Sequence, residues 1–186
     1  MSPYWKSRMT PLTVALVIAV IRFAGSASDA AAASLPKDPC ALLKPAEIQA
    51  LASNDKIGSG VLDTSAAPLA LMCTYSWGPE TAEWGQSSLA IEVTDASKVW
   101  PGGLSPDDIK QRVIVEAKTG GPGSSEISGI GDGAVFSTDP KSHQATAKAY
   151  IVKAKGIVMW LTFHGGNALA QKDKIIAVLK AAAARL

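Results

Sequence analysis

The chain holds two cysteines, Cys40 and Cys73, 33 residues apart, and what they do decides how its first half can fold. Their chemistry depends on the compartment, which the N-terminus indicates. Lys6 and Arg8 precede an uncharged apolar run from Pro11 to Ile21, and small residues follow from Ala24 to Ser34. Charge, then apolar run, then small residues is the order of a secretory signal. Alanines fill both small-residue positions for cleavage after Ala32 or Ala33, with Ala27 as the alternative. The apolar run stops at Arg22, well short of the ~20 residues that span a bilayer. Residues 1–33 therefore read as a cleavable signal peptide, and no stable membrane span is expected after processing. In the periplasm or outside the cell, both oxidising, two cysteines without a nearby histidine are expected to form a disulfide rather than a metal site.

Residues 34–186 are expected to form a single domain, long enough to bury a real core. The whole chain has a formal net charge of +2. The leader accounts for it through Lys6, Arg8, Arg22 and Asp29, which leaves the remainder neutral. A neutral domain without a basic run gives no electrostatic case for nucleic acid.

Apolar periodicity predicts the elements. Ala41 to Ala52 reads as a helix with Pro45 near a first turn. A weak strand follows from Gly60 to Asp63. Leu69 to Trp77 alternates cleanly, with Leu71, Cys73, Tyr75 and Trp77 on one face, so the partner of Cys73 should lie over the core. Ser88 to Thr94 repeats the pattern with Leu89, Ile91 and Val93 inward. Ser105-Pro106-Asp107-Asp108 starts a helix with a capping serine, an early proline and acids at the positive end. Its buried stripe would be Ile109, Val113 and Ala117. Ile127 to Phe136 turns through three glycines into a strand. Gln144 to Lys153 and Gly156 to Phe163 form a hairpin turning at Gly156, the second strand apolar on both faces and therefore central. Asn167 caps a last helix, with Leu169, Ile176, Leu179, Ala183 and Leu186 at helical spacing. The fold class is α+β, ordered α-βββ-α-βββ-α. Short connections imply a curved antiparallel sheet packed with helices on one face or both.

No constellation reaches a catalytic or metal site, and no cofactor is called for. Gly129-Ile130-Gly131-Asp132-Gly133 has neither the spacing nor the following helix of a dinucleotide loop, and reads as a tight turn aiming Phe136 inward. His164-Gly165-Gly166 resembles an oxyanion-hole loop, but the chain has no G-x-S-x-G elbow. Asp132, His143 and His164 would meet a serine only by accident of folding. Paired carboxylates could run a lytic reaction on cell-wall glycan, with Glu80, Glu83, Glu92 and Glu126 available, yet none has a recognisable setting. Trp77 and Trp160 lie in strands and belong to the core. Trp84 and Trp100 lie in loops, where tryptophans either mark ligand surfaces or fold back as lids.

Asp38-Pro39-Cys40-Ala41-Leu42-Leu43, Cys73-Thr74-Tyr75-Ser76-Trp77 and Ile127-Ser128-Gly129-Ile130-Gly131-Asp132-Gly133-Ala134 together resemble a family of small exported bacterial domains of unknown function. Many of its members look like lipoproteins, and this chain departs from them in lacking a lipid-accepting cysteine after the apolar run. The resemblance implies a PsbP-like α/β/α sandwich and no catalytic residues.

The reading that follows is an exported, non-catalytic envelope domain, periplasmic or secreted. It would bind an unidentified ligand or protein partner, with Trp84 and Trp100 as the candidate binding residues. The alternative is a carboxylate-dependent envelope hydrolase. Two acids facing each other in a cleft would favour the hydrolase, and exposed Trp84 and Trp100 side by side would favour binding.

Overall fold

The computed structural model describes residues 34–186 apart from Thr81, Trp84 and Asn167. The leader, Trp84 and the proposed Asn167 cap thus lie outside the described residues.

Seven strands form one antiparallel sheet: β1 (Val61–Asp63), β2 (Ala70–Trp77), β3 (Ser87–Asp95), β4 (Ser125–Ile127), β5 (Gly133–Asp139), β6 (Gln144–Ile151) and β7 (Ile157–His164). Their order across the sheet is β1-β2-β3-β7-β6-β5-β4. β7 is the central strand, as expected, but only one of its faces is fully buried: Trp160, Thr162 and His164 on the other are half-buried. β4 is one strand more than the sequence suggests. It is three residues long and paired to β5 alone, through Ser125–Phe136, Glu126–Val135 and Ile127–Ala134.

The main core lies on one face. Cys73, Leu89, Ile91, Val93, Met159 and Leu161 are fully buried there. Two helices, α1 (Pro45–Ala52) and α5 (Lys172–Ala183), cover them together with a 3-10 turn at Pro39–Leu42. Ala145, Ala147 and Ala149 of β6 face the same way and leave α5 room to approach closely. The disulfide joins Cys40 in the 3-10 turn to Cys73 in β2. At the other end of the chain, Arg185 donates to Leu42 O at 2.6 Å and to Glu47 Oε2 at 2.8 Å, tying the end of α5 to α1.

Three expected elements differ in detail. The helix expected over Ala41–Ala52 breaks at Leu43–Lys44, because the residue before a proline is pushed out of the helical region. Lys44 takes φ −89° and ψ 143°. The β6–β7 connection is a single helical turn, α4 (Val152–Lys155), closed by Gly156 at φ 67°. In α5 the buried face is Ile175, Val178, Leu179 and Ala182. Of the stripe expected there, Leu169 is exposed outside the helix, while Ile176, Ala183 and Leu186 are partly buried. Alanines and branched residues surround this helix, so helical spacing admits two neighbouring registers.

A smaller core sits on the other face. Helix α3 (Pro106–Thr119) starts as expected, with Ser105 Oγ accepting from Asp108 N and Asp108 Oδ2 accepting from Ser105 N. Its Ile109 and Val113 pack on Val135, Tyr150 and Val158, beside Ala96 of the single turn α2 (Ala96–Val99). Helices therefore cover both faces, but unequally.

Candidate functional site

On β2, β3, β5, β6 and β7, residues of one parity face the main core and residues of the other parity lie on the side of the sheet that carries α3. Helix α3 runs beside β5. Its Ile109 and Val113 stand over Gly133 at one end, and Gly121 N, just beyond its end, donates to Thr138 O at the other. A helix is about 10 Å wide and strands repeat every ~4.8 Å, so α3 can shield only two or three strands. The outward residues of β2, β3, β7 and β6 are left half-buried or exposed over much of their length.

Their registers align them in ranks across the sheet. Thr74 pairs with Ala90, Ala90 with Thr162, and Thr162 with Thr146. The next rank towards the strand ends is Ser76, Ser88, His164 and Gln144. All eight are half-buried or exposed, whereas Cys73, Leu89, Leu161 and Ala147 on the reverse of the same strands are fully buried. On the other side of the threonine rank stand Met72, Glu92, Trp160 and Lys148.

The boundary with α3 is a polar cluster. Lys148 Nζ donates to both oxygens of Glu116 at 2.8 Å, and Tyr150 OH donates to Glu116 Oε1 at 2.9 Å. Burial pushes the Tyr150 phenol well above its ordinary value, and the Glu116 carboxylate adds to the shift. Lys148 also lies 5.3 Å from the Trp160 ring centre. The Trp160 indole Nε1 is buried without a hydrogen-bond partner. Trp160 is therefore not in the main core, as expected of a strand tryptophan, but packs half-buried against the small one. The reason is parity: it alternates with Met159 and Leu161, which take the main-core face.

Trp100 also packs against the small core, half-buried, with the Arg112 guanidinium 5.1 Å over its ring. It behaves in part as the lid that a loop tryptophan can become. Asp132 accepts from Lys153 N beside β5's first residue, at the opposite end of β6 from His143 and His164. The three therefore form no triad. His164 Nδ1 lies 3.4 Å from Gln86 O, a contact at the strand end. In the glycine turn, Gly129 and Gly131 take φ 77° and 52°, and Phe136 is fully buried.

Of the candidate acids, Glu80, Glu83 and Glu126 are exposed. Glu92 meets a second carboxylate, Asp63, in a cleft of about 210 Å³ at the β1–β2–β3 edge, with Met72 between them. Asp63 Oδ1 accepts from Ser65 N at 2.8 Å, which holds its carboxyl below the usual range and keeps it ionised. Glu92 Oε1 accepts from Thr94 Oγ1 at 2.8 Å. A general acid on this pair would need a carboxyl raised towards neutral pH. Asp63 is shifted the other way.

A second cleft, about 320 Å³, opens at the end of β5 and β6 between Pro122, Pro140, His143 and Leu169. The one carboxylate in its lining, Asp139, accepts from Ser142 Oγ and Lys141 N, which lower its pKa and spend it on the turn. Among the described residues no group of three His, Cys, Asp or Glu could hold a metal ion, and no helix is long and apolar enough to cross a membrane.

Compared with known protein families, with curated proteins and with solved structures, the chain matches none.

Proposed function

We propose that the chain is an exported, non-catalytic envelope domain, periplasmic or secreted, and that it binds through the uncovered part of its sheet. The leader and the disulfide support export. The three motifs of the exported family and the layering of helices on both faces of one antiparallel sheet support a PsbP-like sandwich.

One observation carries the binding role. An antiparallel sheet can leave a face to water, and a face kept only for solubility is expected to be rich in charge. Here the two outer ranks of four strands carry hydroxyl, amide, imidazole and methyl groups and no lysine, arginine, aspartate or glutamate. Depletion of charge at the centre of a patch marks contact surfaces. Trp100 packs on the small core beside Arg112, beyond the opposite end of β3 from these ranks, and Trp84 is kept as a contact on sequence grounds alone.

The test is Thr162→Arg, at the centre of the face. Stability should stay within about 1 kcal/mol, as for surface changes, while retention of the exported protein on isolated envelope material is lost. Unchanged retention overturns the role of this face. A hydrolase is the second reading, on the single ground that Asp63 and Glu92 line one cleft, and in it the ionised Asp63 could not be the acid. Release of soluble sugar from the same material, abolished by Glu92→Gln, would put that reading first.

A further inference from the structure

The threonine rank has a chemistry and a spacing of its own. Thr74, Thr162 and Thr146 offer hydroxyls on three of four adjacent strands, with Ala90 between Thr74 and Thr162. At ~4.8 Å per strand the rank is about 14 Å long. Each hydroxyl can both donate and accept, and each threonine adds a methyl group. Ser76, Ser88 and Gln144 run parallel to it one rank away.

We infer that the ligand of this face is an uncharged, extended glycan lying across the strands. The inference rests on the binding role proposed above and names the ligand class. A sugar chain presents what this rank lacks partners for: ring hydroxyls that donate and accept in turn, at a repeat close to one strand spacing, and C–H faces for the methyl groups. Charge argues the same way. Lys148, the one cation on these outward positions, is held by Glu116, and Glu92 is held by Thr94, so a polyanion finds no free counter-charge. A peptide strand would need an open sheet edge, and β3, β7 and β6 are interior strands. A lipid surface would need a continuous apolar patch, which hydroxyls interrupt.

The probe is a series of β-1,4-linked N-acetylglucosamine oligomers, titrated by calorimetry into the exported protein. Affinity should rise with each sugar up to three or four, the length of the rank, and then level off. Thr146→Val with Thr162→Val keeps the shape and removes two hydroxyls, and should weaken the longest oligomer at least ten-fold with the thermal melt unchanged. Absence of binding by the wild-type protein, affinity independent of length, or equal binding by the double variant overturns the inference. Should the oligomers fail while Thr162→Arg still abolishes envelope retention, the glycan falls and the binding face stands. A dimer in sedimentation that Thr162→Arg disperses would make the face a contact between copies of the chain, and both proposals would fall.

Discussion

Replacing both Cys40 and Cys73 by alanine tests how much of the fold depends on the covalent tie. The bridge closes a loop of 33 residues that contains the 3-10 turn, α1, β1 and the start of β2. Chain-entropy arithmetic for a loop of that length gives about 3.7 kcal/mol at 25 °C. For a domain of this size the loss corresponds to roughly 10 °C in Tm. Cys73 is fully buried, so the alanine variant also loses sulfur contacts in the core, worth about 1 kcal/mol more. The reduced wild-type chain lacks only the tie. Urea unfolding followed by tryptophan fluorescence should therefore rank oxidised wild type, reduced wild type and the double variant in falling stability. The urea dependence should steepen once the tie is gone, because the unfolded chain then exposes more surface. A loss below about 1 kcal/mol in both forms would refute the reasoning, since it would mean that the unfolded loop is already closed without the bridge. Ready alkylation of both thiols in native protein without reductant would refute the bridge itself.

Tyr150→Phe removes the hydroxyl that donates to Glu116 at 2.9 Å and should cost about 1–2 kcal/mol at neutral pH. Because folding raises the Tyr150 pKa, its contribution is complete below the ordinary value near 10 and is lost as pH rises beyond it. Urea unfolding at pH 9 and pH 11 should show the wild type losing its advantage over the variant at the higher pH, and an unchanged gap would refute the assignment. Gly131→Ala places a Cβ 2.3 Å from Tyr150 O at a positive φ of 52°, whereas Gly129→Ala at φ 77° meets nothing within 4 Å. Thermal melts should show the first costing more than about 2 kcal/mol and the second about 1 kcal/mol, and equal losses would refute a packing role for Gly131.

The strands were legible wherever side chains alternate against a single buried face. Cys73, Leu89, Ile91 and Phe136 lie inward as alternation requires, and the cap at Ser105 marks the start of α3 through local chemistry alone. What local pattern could not supply were features set by neighbours. β4 has only Ser125–Ile127 to identify it and exists by pairing with β5. α4 replaces a strand end because Val152–Lys155 can close a helical turn onto Gly156. The break at Lys44 was legible in principle, since Pro45 restricts it, but the apolar residues on either side suggest one continuous helix.

The candidate face was half legible for a deeper reason. Alternation divides Leu69–Trp77 and Ser88–Thr94 into two sets, and Thr74, Ser76 and Ser88 fall plainly in the polar one. Nothing in those strands says whether that set is covered by a helix. Coverage follows from how three long helices are shared between two faces of one sheet. Seven strands span about 29 Å, and a helix shields roughly 10 Å of that width. The first face takes α1 and α5 and closes over its core with the disulfide-tied turn. The second face takes only α3, and Gly121 N on Thr138 O with Glu116 on Lys148 and Tyr150 holds it beside β5 and β6. The shortfall therefore lands on β2, β3, β7 and the Gln144–Thr146 end of β6, where the outward threonines and serines stand, and those side chains are the ones that can meet water or a ligand without leaving a buried polar group unpaired.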